Sequence, residues 1–247
     1  MEIPEYAKMY ELEDSYWWYE AQKRFLSRTL EGYCGNWYGT KLLDAGCGTG
    51  GLLASLGRRE AYGVDISSEA LRFCKKRNLT RLARASVSGL PFKSSSFGVV
   101  VSMGVLYHRD VGDDMAALSE IFRVMTDGGL FIVNVPAFSF LTAKHDELVH
   151  AKHRYTLGEV KMKVLNAGFA IERITYRDSL LFPVLLAGRL LERVFPFCHK
   201  KNIAGLNRLP GFINDMLKGV LFLENELLLR VTFPFGSSVF CVAKKPV

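Results

Sequence analysis

The clearest chemical signal in this 247-residue chain is a run of glycines at alternate positions. The stretch KLLDAGCGTGG, Lys41 to Gly51, places Gly46, Gly48 and Gly50 between two apolar segments. Lacking a Cβ, these residues let the backbone approach a ligand closely. The N–H groups that open a following helix can hold an anion such as a carboxylate. Asp44, on the strand side, offers a carboxylate to an amino group. The same stretch also fits GxGxxG through Gly46, Gly48 and Gly51, so spacing alone does not exclude a nicotinamide cofactor. A second carboxylate, Asp65 in AYGVDISSEAL, sits where a strand end can present it to both ribose hydroxyls. Ile66 beside it would then pack on an adenine, while the plain alternative for Asp65 is a helix cap.

Histidine chemistry is concentrated in two places. His108 follows an apolar strand, and the segment HDELVHAKHRYT carries His145, Asp146, His150, His153, Arg154 and Tyr155. Spacings of five and three do not set the three segment histidines on one helical face, and no cysteine joins them, so no metal site is expected. A neutral imidazole suits general-base work near neutral pH.

These residues need a scaffold, and apolar periodicity supplies one. Strands are predicted at 41–44, 61–65, 81–86, 97–103, 130–135, 170–176 and 238–244, the third short and at an edge. Helices are predicted at 13–30, 51–56, from Ser67 to about 77, 113–125 and 156–167. Ser67 should cap its helix, and Asp-Gly-Gly at 127–129 should close the one before it. Such alternation implies a doubly wound α/β sheet with helices on both faces. The expected organisation is one domain over 1–247. It comprises an N-terminal helical lid (1–35), a core (36–177 and 236–247) and an apolar helical insertion or cap (178–235).

Composition narrows the class. With 49% hydrophobic and 23% charged residues the chain reads as globular. Five scattered cysteines without a CxxC pair argue for a reducing, cytoplasmic setting. The N-terminus lacks the basic-then-apolar order of a signal peptide, and no run reaches the roughly 20 apolar residues of a membrane span. Net charge is +7, and no acid falls between Ala70 and Arg109, where Arg72, Lys75, Lys76, Arg77, Arg81, Arg84 and Lys93 lie. Such a face suits nucleic acid, anionic lipid or an acidic substrate, or is a solvated basic helix.

DAGCGTG, GVDIS, LPFKSSSF with VVVSMGVLYH, and RVMTDGGLFIVNVPA, in that order, resemble the class I S-adenosylmethionine-dependent methyltransferases. The likeness is to the ubiquinone/menaquinone-biosynthesis-type branch and covers about residues 10 to 177 and the final strand. It implies a Rossmann-like, mostly parallel sheet with an antiparallel last strand. It also implies S-adenosyl-L-methionine as cofactor and S-adenosyl-L-homocysteine as product. Asp44, Gly46, Cys47, Gly48 and Gly50 would surround the methionine part, Asp65 the ribose, Ile66 and Val87 the adenine. Met103 would line the cofactor from the fourth strand. Where this family usually has an acid for the adenine amino group, the chain has Ser86. Tyr107 replaces a common Glu, and Gly98 a common Asp.

The resemblance further implies roles for Trp18, over the sulfonium by cation–π attraction, and Arg24, on the methionine carboxylate. It matches Asp146, Arg154 and Tyr155 to a substrate-side pattern whose histidine falls on Ala151, next to His150. His108, His150 and Tyr155 are thus the catalytic candidates, and His145, Asp146 and Arg154 the substrate contacts. An apolar insertion beside the cleft suits a small or lipid- or glycolipid-linked hydroxyl acceptor, with peripheral contact at the inner membrane face. Two further readings are open. One is an RNA methyltransferase using the basic 72–109 face, although the chain has no NPPY-type motif. The other is a non-catalytic S-adenosylmethionine-binding protein.

Overall fold

The computed structural model describes residues 1–35, 39–57, 60–194 and 208–247. Seven strands form one sheet: β1 (Leu42–Ala45), β2 (Ala61–Asp65), β3 (Leu82–Arg84), β4 (Phe97–Met103), β5 (Met125–Pro136), β6 (Ala170–Arg177) and β7 (Ser238–Lys244). Their order is β3-β2-β1-β4-β5-β7-β6. All neighbours run parallel except β7, which is antiparallel to both β5 and β6. This is the Rossmann-like arrangement, mostly parallel with an antiparallel last strand.

Buried parallel strands read as continuous apolar runs because helices cover both faces. Leu43, Val100, Phe131 and Val133 point to one face, where α5 (Asp114–Val124) and α7 (Leu157–Asn166) supply Leu118, Ile121, Val160 and Val164. Leu42, Val99, Val101 and Ile132 point to the other. There α2 (Trp17–Cys34), α3 (Gly51–Leu56), α4 (Ser68–Lys76) and α9 (Gly211–Leu228) bring Phe25, Leu53, Leu71 and Leu228. Helix caps follow the side chains: Ser67 accepts from Ala70 N, Asp113 from Met115 N and Thr156 from Glu159 N.

The boundaries depart from the sequence expectations at several places: β3 is shorter than 81–86, and Asp127-Gly128-Gly129, expected to close a helix, lies within β5. The N-terminal helix expected at 13–30 is two helices, α1 (Ile3–Leu12) and α2, with Pro4 in the first turn of α1. The break comes where Glu13 turns inward, accepting from Thr49 Oγ1 at 2.6 Å and pairing with Arg77 at 2.9 Å. The chain is already extended at Met125, so β5 starts five residues before Leu130, and a register shift between Phe97 and Val99 absorbs the difference. The two apolar stretches expected at 178–199 and 212–231 are α8 (Phe182–Val194) and α9, with 195–199 outside the described residues.

The insertion is tied to α2. Asn214 of α9 accepts from Trp17 N at 2.9 Å, capping an α2 N-terminus whose own Tyr16 makes no cap. Asn225 donates to the Ala21 carbonyl at 2.9 Å. Among the described residues, no helix is long and apolar enough to cross a membrane.

Candidate active site

The strand order reverses between β1 and β4, and ligands of open α/β sheets bind outside the carboxyl ends of the strands at such a point. Here the Gly-rich loop leaves β1. Gly46 N and Cys47 N both donate to Val64 O, at 2.8 and 2.9 Å, pinning the loop to β2. Gly46 has φ +97°, and a Cβ there would lie 2.2 Å from Val105 Cγ2. Gly50 has φ +82°, and its Cβ would lie 2.6 Å from Leu79 Cδ1. Both positions therefore demand glycine on conformation and on space.

Asp65 ends β2 with both carboxylate oxygens engaged: Oδ2 accepts from Gly48 N at 2.9 Å and Oδ1 from Ser67 N at 2.8 Å. Thus one side chain sets the glycine loop and the start of α4. Above it opens a cavity of about 390 Å³. Its floor is Gly46, Gly48, Asp65, Ile66, Ser86 and Val87; Met103, Gly104, Tyr107 and His108 form the β4 side; Tyr6, Met9, Trp18, Tyr19 and Gln22 close it from α1 and α2; and His145 stands at the rim. A narrower pocket, lined by Asp44, Cys47, Gly51, Glu13 and Lys23, shares Met9, Tyr19, Gln22, Gly46 and Met103 with it.

Carboxyl groups crowd this inner pocket, with Lys23 as the cation in its lining. Burial pushes the Asp44 carboxyl up to about 8, with the nearby Asp65 and Glu13 charges adding to the effect. Burial also raises Asp65, against the pull of its backbone donors, and Glu13, against Thr49 and Arg77. Three crowded carboxyl groups favour a positively charged guest. The residues present fit a cofactor with an ammonium and a sulfonium. They fit a pyrophosphate poorly, because the Glu13 carboxyl lies 2.3 Å from where a Gly51 Cβ would stand, at the start of α3.

Several candidates lie away from this cleft. Arg24 points to α9, its guanidinium 4.5 Å from the Phe222 ring centre and donating to Glu226 at 3.2 Å. One residue is about 100° of helix, so Lys23, and not Arg24, lines the inner pocket. Tyr155 is buried, its single hydroxyl proton shared between Asp114 Oδ2 at 2.7 Å and the Leu106 carbonyl at 3.1 Å, so its hydroxyl is spent beneath the cleft. Asp146 and Arg154 form a bidentate pair at 2.9 and 3.1 Å, and Arg154 also donates to the Ala137 carbonyl. His150 Nε2 meets Glu2 Oε1 at 2.8 Å, fastening α1 to the 142–155 segment. His153 faces Glu159.

Sequence reasoning missed Tyr6, Met9, Glu13 and Lys23. The Pro4-Glu5 start was the available signal for α1. Nothing local marks the inward turn of Glu13. Ser86, which stands where an acid is common, accepts from Ser88 N at 3.2 Å and lines the cleft.

Residues 43–133 match a family model described as a methyltransferase domain. A probable S-adenosylmethionine-dependent methyltransferase of Mycolicibacterium smegmatis is 29% identical over 140 residues, 54% of this chain and 53% of that protein. A demethylmenaquinone methyltransferase of Staphylococcus aureus is 33% identical over 104 residues, 38% of this chain and 42% of that protein. The solved structure of the cyclase SpnF matches with a TM-score of 0.59 at 19% identity, covering 93% of this chain and 84% of that one, a likeness of fold. The chain spans about half or less of the length of the curated relatives it matches. In strand order, glycine loop and matched segment the core is similar to S-adenosylmethionine-dependent methyltransferases. S-adenosylmethionine is the cofactor that the name of the Mycolicibacterium smegmatis relative states.

Proposed function

We propose that the whole chain methylates a hydroxyl group of a small or lipid- or glycolipid-linked acceptor. The observation that carries this reading is His108, set in an aromatic-walled cleft with Trp18, Tyr19 and Tyr107 that the glycine loop and Asp65 also line. The bound cofactor brings a methyl group already activated on sulfur. The protein then has to hold it, align the acceptor and exclude water. In this reading Asp65 takes the ribose hydroxyls, Asp44 the ammonium, and Lys23 the methionine carboxylate. Cys47 and Gly50 shape the loop, while Ile66, Ser86 and Val87 receive the adenine. Residues 1–35 act as a lid over the cleft, Trp18 facing the sulfonium. Residues 178–235 act as a cap, and His145 touches the acceptor at the rim.

His108 contacts the acceptor as a neutral ring. Burial pushes its imidazole down to about 4, so it is uncharged at neutral pH and a weak base there. A folded value below the free one means that the neutral form is complete at pH 6–8 and is lost only as pH falls through about 4. The kcat/KM profile should therefore lack an inflection near the ordinary histidine value. His108→Gln should lower kcat/KM by about tenfold, the size of one neutral hydrogen bond. An inflection between pH 6 and 7 that vanishes in the variant would instead make His108 a titrating base.

The lipid-linked part of the reading rests on the insertion. Val184, Leu191, Phe212, Met216 and Leu223 are exposed on α8 and α9, the Phe212 side at 80%. An apolar surface of this kind suits contact with lipid at the inner face of a membrane. Of the basic residues in the insertion, Arg208 lies 3.7 Å from Glu11, while Lys200 and Lys201 fall outside the described residues. The nucleic-acid reading loses part of its support, because acids from outside 70–109 pair with three of the basic residues there: Arg72 with Glu69, Arg77 with Glu13 and Asp14, and Arg81 with Glu60.

The test is an acceptor screen with methyl-labelled S-adenosylmethionine. Label should pass to prenyl- or glycosyl-lipid hydroxyls. Transfer to polar small molecules with none to lipid-linked ones would remove the lipid part, and transfer only to nitrogen or carbon would remove O-methylation.

A further inference from the structure

One arginine ties the glycine loop to the helices that close the cleft. Arg77 stands just beyond the last residue of α4, and its side chain is 10% exposed. Toward the loop, Nε donates to the Thr49 carbonyl at 3.2 Å. Toward the α1–α2 break, Nη1 donates to Asp14 Oδ2 at 2.7 Å. Nη2 donates to the Tyr10 carbonyl at 3.3 Å and lies 2.9 Å from Glu13 Oε1. The same Glu13 oxygen accepts from Thr49 Oγ1, which closes a ring through Arg77, Thr49 and Glu13. The guanidinium carbon is 4.6 Å from the centre of the Tyr10 ring, which packs on Phe73 of α4 at 4.8 Å.

Both ends of this connection border the ligand space. Thr49 is fully buried between Gly48 and Gly50, two left-handed positions of the loop. α1 meets the loop at Gly48, where a Cβ would stand 3.0 Å from Met9 Cε, and Met9 and Tyr6 of α1 line the cleft. Glu13 lines the inner pocket beside Asp44. Arg77 itself lines neither pocket, so any effect on a ligand passes through the groups it holds. A planar guanidinium keeps its donors in a fixed fork. The Thr49 carbonyl therefore cannot shift relative to Tyr10, Glu13 and Asp14 without breaking charge-assisted bonds.

We propose that Arg77 is a positioning residue that couples the glycine loop to α1, so that filling of the cofactor site and docking of α1 over the cleft are one linked event. Linkage is reciprocal: a cofactor that orders the loop steadies α1, and a docked α1 tightens the hold on the cofactor by the same factor. This inference rests on the methyltransferase reading for the ligand and for the lid.

The test is hydrogen exchange of the intact protein with and without saturating S-adenosylhomocysteine, together with calorimetric affinity. In the wild-type protein the ligand should slow exchange across α1 by about tenfold. Arg77→Lys keeps the charge and loses the fork. It should bind S-adenosylhomocysteine about tenfold more weakly and lose most of the ligand-dependent slowing in α1, while β4 and β5 exchange as in wild type. Asp14→Asn removes only a lid-side charge on a 59% exposed side chain. It should show a smaller loss of the same kind, which keeps the test open if the lysine variant does not fold. A merely structural arginine would instead speed exchange in β4 and β5 and leave the ligand-dependent ratio in α1 as in wild type. That result, unchanged affinity and α1 protection in Arg77→Lys, or wild-type α1 exchange indifferent to the ligand would each overturn the coupling alone. No binding of S-adenosylhomocysteine by the wild-type protein would overturn the methyltransferase reading and the coupling with it.

Discussion

Asp65→Ala is expected to weaken S-adenosylhomocysteine binding by roughly 100-fold or more, the loss of two hydrogen bonds to a charged acceptor. The carboxylate stands at the end of β2 facing the cleft, where the ribose hydroxyls of an adenosyl cofactor fall in a doubly wound sheet. It also holds Gly48 N and Ser67 N, so the alanine variant releases the glycine loop as well as the ribose. Asp65→Asn separates the two effects. One amide oxygen can keep one backbone donor, but the charge and one acceptor are gone, so affinity should fall between wild type and alanine. Calorimetric titration of the three proteins gives the order. Equal affinity in all three would mean that Asp65 serves only to cap α4, and the cofactor would then lie elsewhere.

Asp146→Ala should act on stability and not on cofactor affinity. Asp146 and Arg154 side chains are 9% and 14% exposed, and their fork-to-fork pair is completed by the Ala143 amide on Asp146 Oδ2. Removing one member of a buried pair leaves the other charge stranded, which costs about 3–5 kcal/mol. For a chain of this size that is a fall in Tm of roughly 6–20 °C. Tyr155→Phe should show the same pattern more weakly, because Tyr155 donates to Asp114, which Lys152 and Lys163 also engage. Melting curves and cofactor titrations together separate the roles. A preserved Tm with a raised acceptor KM would return Asp146 and Tyr155 to the substrate side.

Much of the fold was legible because its central strands are buried on both faces. Such segments must be apolar throughout and must stop at turn residues. Ala61–Asp65, Phe97–Met103 and Ser238–Lys244 have the limits that pattern sets, and α3 begins where the glycine loop ends. The glycine loop itself was legible because its conformation excludes other residues. Pairings between distant side chains were not. Nothing near Arg24 in sequence tells that α9 will sit against it, and the one-residue step to Lys23 turns the cation into the inner pocket. Tyr155 sits in a polar-looking segment, yet its ring is buried by α5 and β5 contacts that only the folded chain creates. The inward turn of Glu13 depends on Thr49 and Arg77, which lie 36 and 64 residues further along.

The most direct test of an S-adenosyl site is calorimetric titration of the wild-type protein with S-adenosylmethionine, S-adenosylhomocysteine and NADH. Micromolar binding of the first two, with no heat from NADH, is the expected result, since the crowded Asp44, Asp65 and Glu13 carboxyls favour an ammonium and disfavour a pyrophosphate. Binding of NADH, or no binding of either S-adenosyl compound at millimolar concentration, would contradict it.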